Sequence, residues 1–150
     1  PWETQNYWRF MAPGRVATVP YYLPEDYLRE MEGSYSRQDQ CVCLMSTTPG
    51  TLHFLLDAAR RFARCVAELG DDLAGWSFPI TGDFPAELVS LPSRVHRTGF
   101  LPSPFAILGE SRAMALLSDY GFGFKTKLLE AASMGCYCLV PPKLYSRLPS

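Results

Sequence analysis

Hydrophobic positions form two kinds of pattern along this chain of 150 residues, short continuous runs and stripes that recur every three or four residues. Residues 40–45 form a run of strand length in which every residue after Gln40 is apolar, which is typical of a strand buried on both faces of a parallel sheet. In the next segment, 51–69, apolar side chains recur every three or four residues, and Gly70 follows the last of them. A single apolar stripe with a polar opposite face predicts an amphipathic helix that ends at this glycine.

Strand-like and helix-like segments continue to alternate in the rest of the chain. Further strands are predicted at 15–20, 76–81, 93–98, 112–118 and 136–140. Helices are predicted at 103–109 and 125–134, residues 24–32 are compatible with a helical turn, and 85–91 form a short helix at best. Pro79 weakens the strand at 76–81, because proline lacks the N–H that a central strand donates. This alternation predicts an α/β fold, a Rossmann-like parallel sheet with helices on both faces.

Composition and chain ends set the expected organisation. We place an N-terminal segment or interdomain region at 1–35 and a Rossmann-like domain at 36–150. The chain begins with Pro1 rather than Met and stops within a pattern, so we expect an excised fragment that is truncated at its C-terminal end. Apolar residues make up 47% and charged residues 19%, with a net charge of −1, which is typical of a globular domain and not of a nucleic-acid or anionic-membrane surface. No apolar stretch reaches the ~20 residues of a membrane span, and no signal peptide is visible.

Five cysteines are present, and four of them form two Cys-x-Cys pairs, Cys41 with Cys43 and Cys136 with Cys138. Both pairs lie in strand-like runs, where a spacing of two places both sulfurs on one face. An odd number of cysteines in a chain of this length does not describe a disulfide framework. We therefore expect small core residues rather than a zinc site, and a reducing compartment, the cytoplasm.

The segment 119–130 carries the strongest chemical signal. An apolar lead-in is followed by Gly121 and Gly123, by Lys125 and Lys127, and then by a helical pattern; these are two of only three lysines in the chain. A strand, a glycine loop and a helix direct backbone N–H groups and the positive end of the helix dipole at one point, which suits an anion. The loops at 46–50 and 119–125 both follow strands, so they share one rim of the sheet, where ligands of such sheets bind. The pattern predicts a phosphate-binding corner.

Two common glycine motifs do not fit this loop. A P-loop requires G-x-x-x-x-G-K-[ST], but Phe124 separates Gly123 from Lys125, and no glycine lies five residues before Gly123. A dinucleotide fingerprint requires a third glycine, which Thr126 replaces, and a later acid, where Lys143 stands instead.

From about residue 95 to 149 the chain resembles the donor-binding domain of GT-B glycosyltransferases of the group 1 type. The segment 121–140 follows that family's run G-x-G-x-K/R-x-K-x-x-E-A, with a glycine and an apolar strand after it. Residues 95–100 resemble the strand that ends in a glycine before the base-binding loop, and 80–82 resemble the second strand. The resemblance implies the C-terminal, nucleotide-sugar-binding half of a two-domain enzyme.

The resemblance also implies roles for individual residues. Glu130 would accept hydrogen bonds from the ribose diol, and Lys127 and Lys125 would neutralise the diphosphate. Thr126 would either cap the helix or touch the ligand. Further nucleotide-sugar contacts are expected in the glycine loop, in the first loop and after the third strand, at Gly121, Phe122, Gly123, Thr47, Thr48, Gly99 and Phe100. Phe122 stands where many members carry a sugar-contacting glutamate, and no catalytic residue is assigned.

The implied reaction is transfer of a hexosyl group from a nucleoside diphosphate sugar to a glycan, lipid or other acceptor, as in polysaccharide biosynthesis. It would require no metal and no cofactor. The acceptor domain would lie upstream of this fragment, so we expect the fragment alone to be inactive. Two alternatives remain open, a nucleotide-sugar epimerase of the same fold and a Rossmann-like binding module without a nucleotide.

Overall fold

The computed structural model describes residues 23–45, 52–118 and 125–146, and the strand predicted at 15–20 lies outside them. Within the described residues, five strands form one all-parallel sheet in the order β3-β2-β1-β4-β5. The strands are β1 (Gln38–Cys43), β2 (Phe78–Thr81), β3 (Val95–Gly99), β4 (Ser111–Ala115) and β5 (Tyr137–Leu139). The helices are α1 (Glu25–Met31), α2 (Leu52–Leu69), α3 (Phe105–Glu110), α4 (Thr126–Ser133) and α5 (Pro142–Tyr145), with a 3₁₀ turn at Ala86–Leu88. The predicted Rossmann-like α/β fold is confirmed.

Strand β1 lies at the centre of the sheet and is buried on both faces, as predicted. Cys41 and Cys43 pack into a core under α2, together with residues such as Phe62 and Ile80. Val42 belongs to a second core on the opposite face, formed with α3 and α4. Side chains of a strand alternate between faces, so one apolar run supplies both cores.

Pro79 lies inside β2, which is an interior strand paired with both β1 and β3. The predicted strand is present, and the residue pairs between β2 and β1 lie on either side of the proline. Ser77 bridges to Gln40 before the proline, and Ile80 pairs with Cys43 after it. The position that lacks a donor therefore falls between the two points at which β2 is tied to β1.

The cysteines are free thiols, as the strand pattern predicts. Cys41, Cys43 and Cys136 are buried, Cys138 is half-buried, and Cys65 on α2 is exposed. Burial raises the pKa of the Cys41 thiol to about 12, and it also raises the pKa of Cys136. Thiols held in this neutral form act as small apolar core residues.

Helix α4 ends in a firmly bonded turn. Gly135 has a φ of +74°, and the N–H groups of Gly135 and Cys136 donate to the carbonyls of Ala132 and Ala131, both at 2.9 Å. This is the bonding of a Schellman motif, and it confirms the predicted end of the helix. The Arg37 guanidinium donates to the Gly135 carbonyl (2.9 Å), to the Met134 carbonyl and to the Ser111 carbonyl (2.9 Å). Arg37 thereby ties the end of α4 to the beginning of β4.

Candidate functional site

The sheet has a topological switch point between β1 and β4. These strands are neighbours, but the chain leaves β1 for the face covered by α2 and leaves β4 for the opposite face, covered by α4. Diverging connections open a crevice at the carboxyl edge of such a sheet, where ligands bind. The segments 46–51 and 119–124, which follow Met45 and Ser118 in the chain, lie outside the described residues. The predicted contacts Thr47, Thr48, Gly121, Phe122 and Gly123 therefore lie outside them as well.

A cavity of about 220 Å³ lies beside the switch point. The last residue of β2 and the residues that follow β1 and β2 form the floor of the cavity, and the connection from β3 to α3 forms one wall. Helices α1 and α4 contribute the remaining lining residues. The lining residues are Leu44, Met45, Thr81, Gly82, Phe100, Leu101, Pro104, Tyr27, Lys127 and Glu130.

The floor of the cavity is held by the buried Thr81 side chain. Its hydroxyl accepts a hydrogen bond from the Met45 N–H at 2.9 Å and lies 3.2 Å from the Met45 carbonyl, to which it donates. Gly82 follows with a φ of +94°, and its N–H donates to the Gly99 carbonyl at 2.8 Å. A side chain at Gly82 would be strained by this φ and would place its Cβ 3.3 Å from the Cβ of Met45. These contacts fix the backbone at Met45, the last described residue after β1.

Lys127 and Glu130 are one turn apart on α4, and both face the cavity. Glu130 is buried, with 8% of its surface exposed. Burial raises the pKa of the Glu130 carboxyl, and the Lys127 charge opposes the rise. Burial lowers the pKa of the Lys127 ammonium, and the Glu130 charge opposes that fall. Two opposite charges have thus been moved partly out of water in a concave site, which is a common signature of ligand-binding groups.

Three of the predicted site residues, Lys127, Glu130 and Phe100, line one cavity. Lys125 occupies the N-cap position of α4, and Thr126 is the first helical residue, so Thr126 begins the helix rather than capping it. Gly99 ends β3 with a φ of +74°, which allows the chain to turn toward Phe100. Lys125, Thr126 and Gly99 are not part of the cavity lining.

Several lining residues were not identified as site residues from the sequence. Leu44, Met45, Thr81 and Gly82 carried one usable signal, since they stand where buried strand runs end and loops begin. Tyr27 carried no such signal, because it lies on α1, before the first strand and before the domain start predicted at residue 36.

The described residues contain neither a metal-binding cluster nor a membrane-spanning helix. Across 23–45, 52–118 and 125–146, no three His, Cys, Asp or Glu side chains come close enough to share a metal ion. In the same residues no helix has the length and apolar character needed to cross a membrane. Metal independence of the reaction stays a prediction.

No protein-family model matches the chain, and no curated protein does so either. Solved structures share its fold. WaaG, a glycosyltransferase involved in lipopolysaccharide biosynthesis, aligns with a TM-score of 0.52 at 18% identity over 79% of this chain and 33% of its own. HepE from Anabaena, in complex with UDP and glucose, aligns with a TM-score of 0.51 at 17% identity over 86% of this chain and 37% of its own. The chain thus spans about a third of these enzymes, and the likeness confirms the fold that the sequence resemblance implied.

Proposed function

We propose that the chain is the donor-binding domain of a glycosyltransferase and that its cavity binds a nucleoside diphosphate sugar. The observation that carries the proposal is the convergence of Lys127, Glu130 and Phe100 on one cavity at the switch point. The shared fold with WaaG and HepE supports it, since HepE was crystallised with UDP and glucose and with UDP-glucose.

Glu130 is the proposed ribose ligand. Its two carboxylate oxygens accept hydrogen bonds from the two hydroxyls of a ribose diol. The carboxylate is partly shielded from bulk water, so hydroxyl donors would replace hydration that burial has already reduced. The same loss of hydration raises the pKa of the Glu130 carboxyl.

Lys127 is the proposed diphosphate ligand. It lies in the first turn of α4, where the N–H groups of the helix and its dipole also favour an anion. A phosphate would supply the negative charge that stabilises the partly buried ammonium. During transfer the leaving diphosphate gains charge, and Lys127 with the helix amides would stabilise that charge.

The base is assigned to the side of the cavity formed by the connection from β3 to α3. Phe100, Leu101 and Pro104 present apolar surface there, and Phe100 is 66% exposed. An exposed aromatic side chain that lines a cavity suits stacking against a nucleobase. With the ribose at Glu130, the nucleoside would span the cavity from α4 to this connection.

The proposed reaction is hexosyl transfer to a glycan, lipid or other acceptor in polysaccharide biosynthesis in the cytoplasm. We assign no catalytic residue to this chain. A partner domain of the same enzyme would bind the acceptor, and the diphosphate would leave without a metal ion.

The test is titration of the 150-residue chain with UDP, GDP and ADP, followed by NMR chemical shifts or calorimetry. We expect one of them to bind at millimolar concentration or below. We expect Lys127→Ala and Glu130→Ala each to weaken that binding about tenfold, as loss of a charged contact does. Lys143→Ala on α5 and Glu87→Ala in the 3₁₀ turn are matched controls outside the cavity lining, and they should leave affinity unchanged.

Two results would contradict the proposal. If none of the three nucleotides binds at millimolar concentration, the chain is a Rossmann-like module without a nucleotide. If a nucleotide binds but the control variants weaken it as much as Lys127→Ala and Glu130→Ala do, the binding site lies elsewhere.

A further inference from the structure

Tyr27 lines the cavity that also contains Lys127 and Glu130, although it precedes β1 in the chain. It is half-buried and belongs to α1, the helix that precedes the first strand. The motifs that carry the family resemblance do not include it. Its place in the cavity follows entirely from how α1 packs.

The Tyr27 ring is restrained by its packing against a neighbouring aromatic ring. It packs edge-to-face on Phe105, the first residue of α3, with ring centroids 5.0 Å apart and an interplanar angle of 73°. Helix α1 is in turn tied to its surroundings at Glu30, whose carboxylate accepts a hydrogen bond from the Ser103 hydroxyl. The Glu30 carbonyl accepts another from the Tyr35 hydroxyl at 2.6 Å. A ring fixed in this way loses little further freedom when a ligand packs against it.

The position of the ring decides which part of a nucleotide it would meet. Phe105 directly follows Pro104, so Tyr27 lies on the α3 side of the cavity, with the connection that carries Phe100. Lys127 and Glu130 belong to the α4 side. A nucleoside whose ribose meets Glu130 and which spans the cavity would have its base on the side that carries Tyr27 and Phe100.

We propose that Tyr27 is a nucleobase contact and that its ring and the Phe100 ring bound the base site together. This inference rests on the proposed function. It adds a residue from α1, so the base site is complete only when α1 is docked on α3. Stacking on a base uses the apolar face of the aromatic ring, so the Tyr27 hydroxyl is not needed for this contact.

The experiment compares Tyr27→Ala and Tyr27→Phe with the wild-type chain. The probes are UDP, GDP and ADP, with ribose 5-phosphate and inorganic pyrophosphate as ligands that lack a base. We expect Tyr27→Ala to weaken the nucleotide that binds best about tenfold or more, the loss typical of one stacking contact, and to leave both base-free ligands unchanged. Tyr27→Phe should bind like the wild type. Leu28→Ala, an exposed neighbour on α1, is the matched control and should have no effect.

A direct measurement protects the test against a variant that folds poorly. In the wild-type complex, intermolecular NOEs should join the ring protons of Tyr27 to protons of the base. Absence of these NOEs, or equal weakening of nucleotide and base-free ligands by Tyr27→Ala, would overturn the assignment while Glu130→Ala could still uphold the nucleotide site. Failure of all nucleotides to bind the wild-type chain would overturn both proposals.

Discussion

Arg37 offers the sharpest test of how helix α4 is held in place. Its guanidinium donates to three backbone carbonyls, two at the end of α4 and one at the beginning of β4. The substitution Arg37→Met keeps an apolar stem of similar length and removes all the donors. Since α4 carries Lys127 and Glu130, the loss should loosen the element that presents the candidate site.

The magnitude follows from the surroundings of the three hydrogen bonds. A hydrogen bond to a charged group contributes about 1.5–3 kcal/mol when it is buried. Here the bond to Gly135 is exposed and the bonds to Ser111 and Met134 are only partly buried, so water would replace much of what is lost. We therefore assign about 1 kcal/mol to each bond and expect Arg37→Met to lower the free energy of unfolding by about 3 kcal/mol.

The assay is urea unfolding followed by circular dichroism, with Arg112→Met as the matched control. Arg112 pairs with Asp39 at the surface, with 51% and 55% of the two side chains exposed. An exposed pair of this kind contributes about 0–1 kcal/mol, so the control should shift the midpoint far less. Native-state hydrogen exchange should also show faster opening of the amides of α4 in Arg37→Met than in the control.

The reasoning would be refuted if Arg37→Met lowered the free energy of unfolding no more than Arg112→Met does, with the dependence of that free energy on urea concentration unchanged. That result would mean that the three carbonyls are as well satisfied by water as by the guanidinium. Exchange in α4 that matches the control would likewise show that Arg37 does not hold the helix.

Three further predictions concern the site and its supports. Burial raises the pKa of Glu130 in the folded protein, so its stabilising contribution is present at low pH and is lost as the pH rises through that pKa. Urea unfolding at about pH 7 and about pH 4 should show that the free energy of unfolding of the wild type rises relative to that of Glu130→Gln at the lower pH. An equal difference at both pH values would contradict the raised pKa. Gly135→Ala should cost more than Gly75→Ala in thermal unfolding, because both have positive φ but only the Cβ at 135 would press on Arg37, at 3.3 Å; equal costs would refute that crowding. Thr81→Val should lower the free energy of unfolding by about 1–3 kcal/mol, since it leaves a buried N–H at the end of β1 without its acceptor, and a loss near zero would contradict this.

Local patterns carried much of the secondary structure. The helix at 52–69 and the strand β1 were both evident from the sequence. Burial of one helix face gives apolar residues every three or four positions, and burial of both strand faces gives a continuous apolar run. The end of α4 at Gly135 was also evident, since a left-handed residue there favours glycine. The sequence did not show how a proline is accommodated inside β2, because this depends on which carbonyls and amides the neighbouring strands present in the assembled sheet.

The sequence by itself determined the fold class and the pair Lys127 and Glu130, because their spacing of three residues on one helix is a local fact. Only the tertiary structure decided what this pair faces. The order of the strands places β1 beside β4, and packing of α1 on α3 brings Tyr27 to the same cavity. Contacts between segments about a hundred residues apart arise when the apolar faces of helices and sheet pack together. No local pattern of residues specifies which faces will meet.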